Sequence, residues 1–270
     1  MWEQELKVSI KAAVLAGRAI LDIYENADDI EIEKKGDGSP LTKADRRSNG
    51  IIVKHLKNAF PDHAILSEEE KDDKSRLSNP LCFVVDPLDG TKEFIKRNGQ
   101  FTVNIALAHE HRTVMGVIYV PVTGDLYYGS QDNGSFLAKV SELRNGEDID
   151  MSEPVKLHVS DVTGTQNLRV VASSSHLAPQ MEEMIKKYDL KNLVMMGSSL
   201  KGCLVAKGDA DIYFRHNPTM EWDTAAMQAI AEAAGAIFCQ MDDTPMLYNR
   251  ENSLNDKGFY VINRPENRLR

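Results

Sequence analysis

The sequence predicts an α+β protein of two sublobes, an N-terminal half organised around an antiparallel meander (residues 1–150) and a C-terminal half with α/β layering (residues 151–270). Three observations predict it. Apolar residues before Phe83 follow helical spacing. Between Phe83 and Lys139 short apolar runs crowd together and are broken by Asn133-Gly134, a dipeptide of tight hairpin turns. Past a polar crossover at Asn145 to Pro154, strand-like and helix-like segments alternate, the order that lays helices over strands.

Taken in order, Leu6, Ile10, Ala13, Gly17, Ile20 and Tyr24 make one apolar face of a first helix, which the polar segment EKKGDGSP (Glu33 to Pro40) ends. Thr42 followed three residues later by Asp45 has the form of a capping box, and Ile51, Ile52, Leu56 and Phe60 continue the second helix behind it. His63 to Ser67 reads as a short strand running into Glu68, Glu69 and Glu70. Strands are expected at Phe83 to Val85, Phe101 to Ala108, Val114 to Val122, Asp125 to Gly129 and Ser135 to Lys139. In the second half, strands at Arg169 to Ala172, Leu193 to Met196 and Ile212 to Phe214 alternate with helices at Ala178 to Tyr188, Ser199 to Ala206 and Thr224 to Ala234.

With 270 residues and 42% hydrophobic content, the chain can bury one large core or two closely packed lobes without staples. Cys82, Cys203 and Cys239 are odd in number, far apart and set in apolar surroundings, which fits reduced structural thiols rather than a disulfide framework. A formal charge of −9 speaks against nucleic acid or an anionic membrane surface as the main partner, since both need a basic face. The opening MWEQELKVSI lacks the pattern of a secretory signal, and no window has the apolar length of a transmembrane span, so a cytoplasmic protein is expected.

The stretch VVDPLDGTKEF (Val84 to Phe94) sets two aspartates directly behind an apolar strand, where burial is unfavourable unless a cation or many donors compensate them. Asp86 at the strand end and Asp89 on the turn after Pro87 can share a hard cation such as Mg2+, with the N–H groups of Gly90 and Thr91 facing the same anion. A plain strand-to-helix turn capped by Asp89 would also account for the motif taken alone. Glu68 to Glu70 could be a solvated acidic turn, and Asp223, in MEWDTAAM before an alanine-rich helix, a simple N-cap. Together, however, they supply what metal-assisted phosphate hydrolysis requires: an acidic cluster, a threonine hydroxyl to orient water, and helix starts facing phosphate. A phosphoaspartyl mechanism lacks its nucleophile, because Pro87 stands two residues before the aspartate of the DGT segment. An EF-hand loop fails on spacing, and neither a phosphate loop nor a GxGxxG fingerprint is present.

LSEEE (Leu66 to Glu70), DPLDGT (Asp86 to Thr91) and WDTAA (Trp222 to Ala226), in that order, resemble the three metal-site segments of the lithium-sensitive, magnesium-dependent phosphatases of the inositol monophosphatase superfamily. Within it, GDGSPLTKAD (Gly36 to Asp45), DGTKEFIKRNGQFTVNIAL (Asp89 to Leu107) and GSSLKGCLVAKGDADIY (Gly197 to Tyr213) look like the bacterial 3'(2'),5'-bisphosphate nucleotidase branch. The resemblance spans nearly the whole chain and implies a layered αβαβα sandwich of the inositol monophosphatase/fructose-1,6-bisphosphatase type. It implies that Glu68, Asp86, Asp89, the carbonyl of Leu88 and Asp223 ligate two or three Mg2+ ions, and that Asp45, Thr91 and Glu68 activate the attacking water. The substrate would meet Glu68, Leu88, Asp89, Gly90, Thr91 and Asp223 at the scissile phosphate. Ser198, Lys201 and Arg215 would serve the second phosphate, with Lys92, Lys96 and Arg97 as alternatives for that anion. The implied reaction is hydrolysis of adenosine 3',5'-bisphosphate to AMP and phosphate, and of 3'-phosphoadenylyl sulfate, clearing a by-product of sulfate assimilation. Inositol monophosphatase or fructose-1,6-bisphosphatase activity at the same metal site is the alternative. The implied protein is a cytoplasmic monomer or homodimer, with peripheral contact to the inner membrane face left open. Gln100 and Met220-Glu221 depart from the branch's commonest pattern, and Glu221 is expected to add negative charge near the site.

Overall fold

The computed structural model describes residues 1–26, 32–34, 40–144, 148–173 and 177–270, so the Gly36 to Ser39 part of the GDGSPLTKAD segment lies outside the described residues. Helix α1 (Glu3–Asn26) buries the predicted apolar stripe and is followed by a small antiparallel ribbon of β1 (Ile32–Lys34) and β2 (Pro40–Thr42). Thr42 then caps α2 (Lys43–Ala59): its hydroxyl accepts the Ala44 N–H at 3.2 Å, and Asp45 reaches back to the Thr42 N–H at 2.7 Å.

The first sheet has eight strands: β3 (Ala64–Ser67), β4 (Leu81–Asp89), β5 (Thr102–His109), β6 (Arg112–Val120), β7 (Asp125–Ser130), β8 (Gly134–Arg144), β9 (Asp148–Met151) and β10 (Val155–Lys156). The strands from β4 to β8 form the expected meander, and β3 alone pairs in parallel, on β4. Part of the expected polar crossover is in fact β9, and β10 returns to β8, so the first sheet runs past the division placed at residue 150.

The second sheet contains β11 (Arg169–Ser173), β12 (Asn192–Met196), β13 (Ile212–Arg215), β15 (Ile237–Gln240) and β17 (Phe259–Ile262), in the order β12-β11-β13-β17-β15. Its first three strands are parallel and are linked through α4 (Pro179–Tyr188) and α5 (Leu200–Lys207), as the alternation predicted. The last two are antiparallel and carry no alternating pattern. A short ribbon of β14 (Thr219–Met220) and β16 (Leu254–Asn255) sits at the start of α6 (Glu221–Ala233).

Side-chain alternation fixes the stacking of these layers. Phe83 and Val85 of β4 point into a core with Ala12, Ala16, Ile52 and Leu56 of α1 and α2, whereas Cys82 and Val84 point the other way, into a core with Val205, Ala226 and Ile230 of α5 and α6. The reverse face of that helix layer meets Val171, Tyr213 and Val261 of the second sheet, whose far face packs on Met181 and Met184 of α4. The result is a five-layer αβαβα sandwich in which both sheets are covered on both sides, which is why their strands read as apolar runs. All three cysteines are free thiols, and burial pushes that of Cys82 up to about 12.

Close approach between α6 and the first sheet depends on Gly116, because a Cβ there would stand 2.5 Å from the Ala226 carbonyl oxygen. Gly116→Ala is expected to cost about 1–3 kcal/mol through overpacking, read from the urea midpoint at unchanged slope. An unaltered midpoint would mean that the helix layer yields freely.

Candidate active site

Four chain segments from both halves of the protein converge between the two sheets. The β4 strand does not stop at Asp86 as expected: it continues to Asp89, with Asp86 opposite Asn104, Asp89 opposite Thr102 and one extra residue bulged between them. Pro87, which has no N–H to give a ladder, occupies this irregular stretch, and the bulge brings Asp86 and Asp89 toward a common point. Gly90 follows with φ +93°, where an added Cβ would press on the Gln100 carbonyl at 3.1 Å, and Thr91 opens the short helix α3 (Thr91–Ile95).

Asp223 enters from α6. Sequence spacing placed it just before that helix; it is instead the third helical residue, and its Oδ2 accepts the Met220 N–H at 2.8 Å. Asp86, Asp89 and Asp223 each offer an oxygen within 4.8 Å of the others, and Glu68, following β3, hydrogen-bonds the Asp86 side chain. Burial, joined by the charges of Glu68, Asp89 and Asp223, pushes the Asp86 carboxyl well above its usual range. Burial and the neighbouring Asp89 push Asp223 up to about 7. A set of mutually repelling carboxylates, with Asp86 buried and Asp89 and Asp223 half-buried, has the donor chemistry of a hard-cation site, so these residues fit Mg2+.

Asp89 is the most heavily tethered of the set. Its Oδ2 accepts from Ser198 Oγ at 2.6 Å, Ser199 N at 2.6 Å, Ser199 Oγ at 2.7 Å and Asn104 Nδ2 at 3.4 Å, which leaves Oδ1 to the cluster. The start of α5 therefore faces an anion that belongs to the protein. Asn104 and Thr102 were not singled out in the sequence, although they form the inner wall of the site: Thr102 Oγ1 donates to Asn104 Oδ1 at 2.8 Å and shares a hydrogen bond with Ser198 Oγ at 2.8 Å. Their signal was two polar residues at alternate positions of FTVNIALA, hence on one face of an apolar strand.

On the opposite side, Thr91 Oγ1 donates to Asp45 Oδ1 at 3.2 Å and lies 3.4 Å from the Leu88 carbonyl, while Asp45 Oδ2 is held by the Thr42 N–H and hydroxyl at 2.7 and 2.5 Å. Asp45 is 2% exposed, so the pair is seated inside the fold with its carboxylate held at both oxygens.

A cavity of about 370 Å3 opens beside the aspartates, bordered by Asp89, Gly90, Ser198, Lys201, Arg215 and Asp223. Burial pushes the Lys201 ammonium down to about 8, with Asp89 opposing the shift, and its Nζ stands 5.8 Å from the Tyr213 ring centre. Arg215 Nε is buried and finds no hydrogen-bond partner among the described residues. Lys92 also borders the cavity, whereas Arg97 turns away to the Tyr24 carbonyl and ring.

Both sequence departures have structural reasons. Gln100 Oε1 accepts the Gly197 N–H at 2.8 Å and fixes the turn that carries Ser198. Glu221, expected to charge the site, is fully buried and turned to the Asn249 and Arg250 N–H groups at 2.6 and 3.0 Å.

A five-layer α/β sandwich with an acidic, cation-demanding cleft between its sheets defines the class as a metal-dependent enzyme fold. The family model for inositol monophosphatases matches residues 1–265. The 3'(2'),5'-bisphosphate nucleotidase CysQ of Salmonella typhimurium is 38% identical over 247 residues, covering 91% of this chain and 94% of its own. Its Escherichia coli counterpart is 36% identical over the same share of each chain. The crystal structure of CysQ from Bacteroides thetaiotaomicron, described as a bacterial member of the inositol monophosphatase family, superposes with a TM-score of 0.84 at 43% identity, covering 98% of this chain and 99% of that one. The chain belongs to the inositol monophosphatase family, whose enzymes depend on metal ions. Among the described residues no helix is long and apolar enough to cross a membrane.

Proposed function

We propose that this protein is a Mg2+-dependent phosphomonoesterase that removes the 3'-phosphate of adenosine 3',5'-bisphosphate, yielding AMP and phosphate, and that 3'-phosphoadenylyl sulfate is a second substrate. One observation carries the reading: a single cavity is bordered both by Asp89 and Asp223 of the carboxylate cluster and by the cationic side chains of Lys92, Lys201 and Arg215. A substrate with two separated phosphates matches it, the scissile one against the cluster and the other against the cations. The nucleotidase names of the relatives agree with this division.

Glu68, Asp86, Asp89, Asp223 and the Leu88 carbonyl would hold two or three Mg2+ ions, since so many gathered carboxylates exceed what one divalent cation neutralises. When bound, magnesium supplies Lewis-acid polarisation of phosphoryl oxygens and eases ionisation of water. The chain's own part is to orient and move protons. Thr91, donating its hydroxyl proton to Asp45, has its lone pairs free to accept from the attacking water, and Glu68 offers a second acceptor. Gly90 would border the scissile phosphate and Ser198 the second one, on whose arrival the unpaired Arg215 Nε gains an acceptor.

The test is phosphate release from adenosine 3',5'-bisphosphate, inositol 1-phosphate and fructose 1,6-bisphosphate, with Mg2+ and with chelator. The expected result is metal-dependent release with strong preference for the nucleotide. Preference for a sugar phosphate would overturn the substrate assignment while keeping the metal site, and no release from any of them would overturn the enzyme. Lithium at limiting Mg2+ is expected to inhibit.

A further inference from the structure

One face of α2 touches two of the segments that build the acidic cluster, at three places. Asp45 receives Thr91; Ser48, three residues on, donates its hydroxyl to the Pro87 carbonyl at 2.7 Å; and Asn49, one turn after Asp45, reaches the turn that carries Glu68. Asn49 is 6% exposed, and both ends of its amide are used. Its Oδ1 accepts from Ser67 Oγ at 2.7 Å, and its Nδ2 donates to Glu70 Oε1 at 2.7 Å.

The two residues it grips flank Glu68 and Glu69. Ser67 is the last residue of β3, the Glu68 N–H is held by the Val85 carbonyl at 3.2 Å, and the Glu70 N–H returns to the Ser67 carbonyl at 3.2 Å. The backbone thus forms one tight turn with Glu68 at its head, tied to the strand at one end only. We infer that Asn49 is a positioning residue for Glu68: its amide staples both ends of this turn to α2 and thereby holds the Glu68 carboxylate against Asp86.

The physical need for such a staple follows from the cluster. Glu68 faces Asp86, Asp89 and Asp223, all of like charge, so an untethered turn would relax outward in the absence of cations. Asn49 opposes this with a neutral buried group. Its donor end also gives Glu70, which does not join the aspartate cluster, a partner of its own. Positioning groups of this kind change metal affinity by about 10–100-fold when removed.

The inference rests on the proposed role of Glu68 as a metal ligand, and the experiment separates the two. Asn49→Asp keeps the shape and the acceptor for Ser67, but turns the donor into a carboxylate oxygen against Glu70. It is expected to raise the Mg2+ concentration for half-maximal activity about tenfold, to weaken Mg2+ binding to the metal-free protein by calorimetry to the same degree, and to change kcat less. The pair Asn49→Asp with Glu70→Gln restores one hydrogen bond of reversed polarity and is expected to bring both Mg2+ readouts back to within about twofold of wild type. Wild-type Mg2+ affinity in Asn49→Asp overturns the inference, as does a loss that the paired exchange fails to recover. Glu68→Gln is the control: if it leaves Mg2+ affinity intact, the ligand role of Glu68 falls, whatever Asn49 does.

Discussion

Asp89→Asn is expected to lower turnover on the order of a thousandfold or more, while the protein folds normally and its metal-free form melts several degrees above metal-free wild type. Both effects follow from how Asp89 is held. Its Oδ2 is fixed by Ser198, by the N–H and hydroxyl of Ser199 and by Asn104, all of them donors. An asparagine in the same place must turn its carbonyl oxygen to these donors, because its amide nitrogen has nothing to offer them. The NH2 group is then forced to the position of Oδ1, where it presents hydrogens to a cation in place of a lone pair. Few substitutions that keep the shape of a side chain would invert its chemistry so fully. The gain in melting temperature comes from removing one negative charge from a partly buried cluster of like charges. Turnover near wild type would refute the metal assignment. Loss of turnover with a lowered melting temperature would mean that Asp89 serves the fold, with its serine partners as the reason.

How much of this site was legible depends on the range over which each feature is encoded. The DPLDGT segment, Glu68 and Asp45 lie in short motifs whose residue types make sense locally, as a bulge with carboxylates, a strand end and a capping box. The helices α1 and α2 and the meander were likewise written in local periodicity. Strands β15 and β17 were not, because each is four residues long, their burial patterns do not alternate cleanly, and their register comes from partners far away in the chain. Glu221 shows the same limit in a side chain: its position beside Trp222 and Asp223 suggested charge in the site, but its partners are N–H groups of residues 249 and 250. The start of α5 is a subtler case. Two serines before a helix signal an anion, and the anion in the fold is Asp89, brought there by a different sheet. Asp223 was displaced only by helix geometry, since a carboxylate at the third helical position serves the same helix start as a cap, reaching back to the N–H of Met220 instead of forward into the first turn.

The acidity of the cluster predicts an unusual dependence of stability on pH. Asp86 is pushed well up by burial and then by Glu68, and Asp223 is pushed to about 7 by burial and then by Asp89. Both would ionise near 3.9 in the unfolded chain. A group whose pKa is raised on folding contributes stability that is fully present below the unfolded value and is lost as pH rises through the folded one. Metal-free protein should therefore lose stability between pH 5 and pH 7.5, by a few kcal/mol. Carboxylates held down by partners, such as Asp72 and Asp242, act at lower pH and leave this window clear. His216, held down by burial and by Arg268, works in the opposite direction inside it, so the total slope is not by itself diagnostic. The diagnostic comparison is of melting temperatures at pH 5 and 7.5 in chelator, for wild type and Asp89→Asn. Wild type should fall the more steeply, and added Mg2+ should raise its melting temperature far more at pH 7.5 than at pH 5, because binding must displace protons at the lower pH. Parallel slopes in the two proteins, with a Mg2+ effect independent of pH, would locate the titrating charge somewhere other than this cluster.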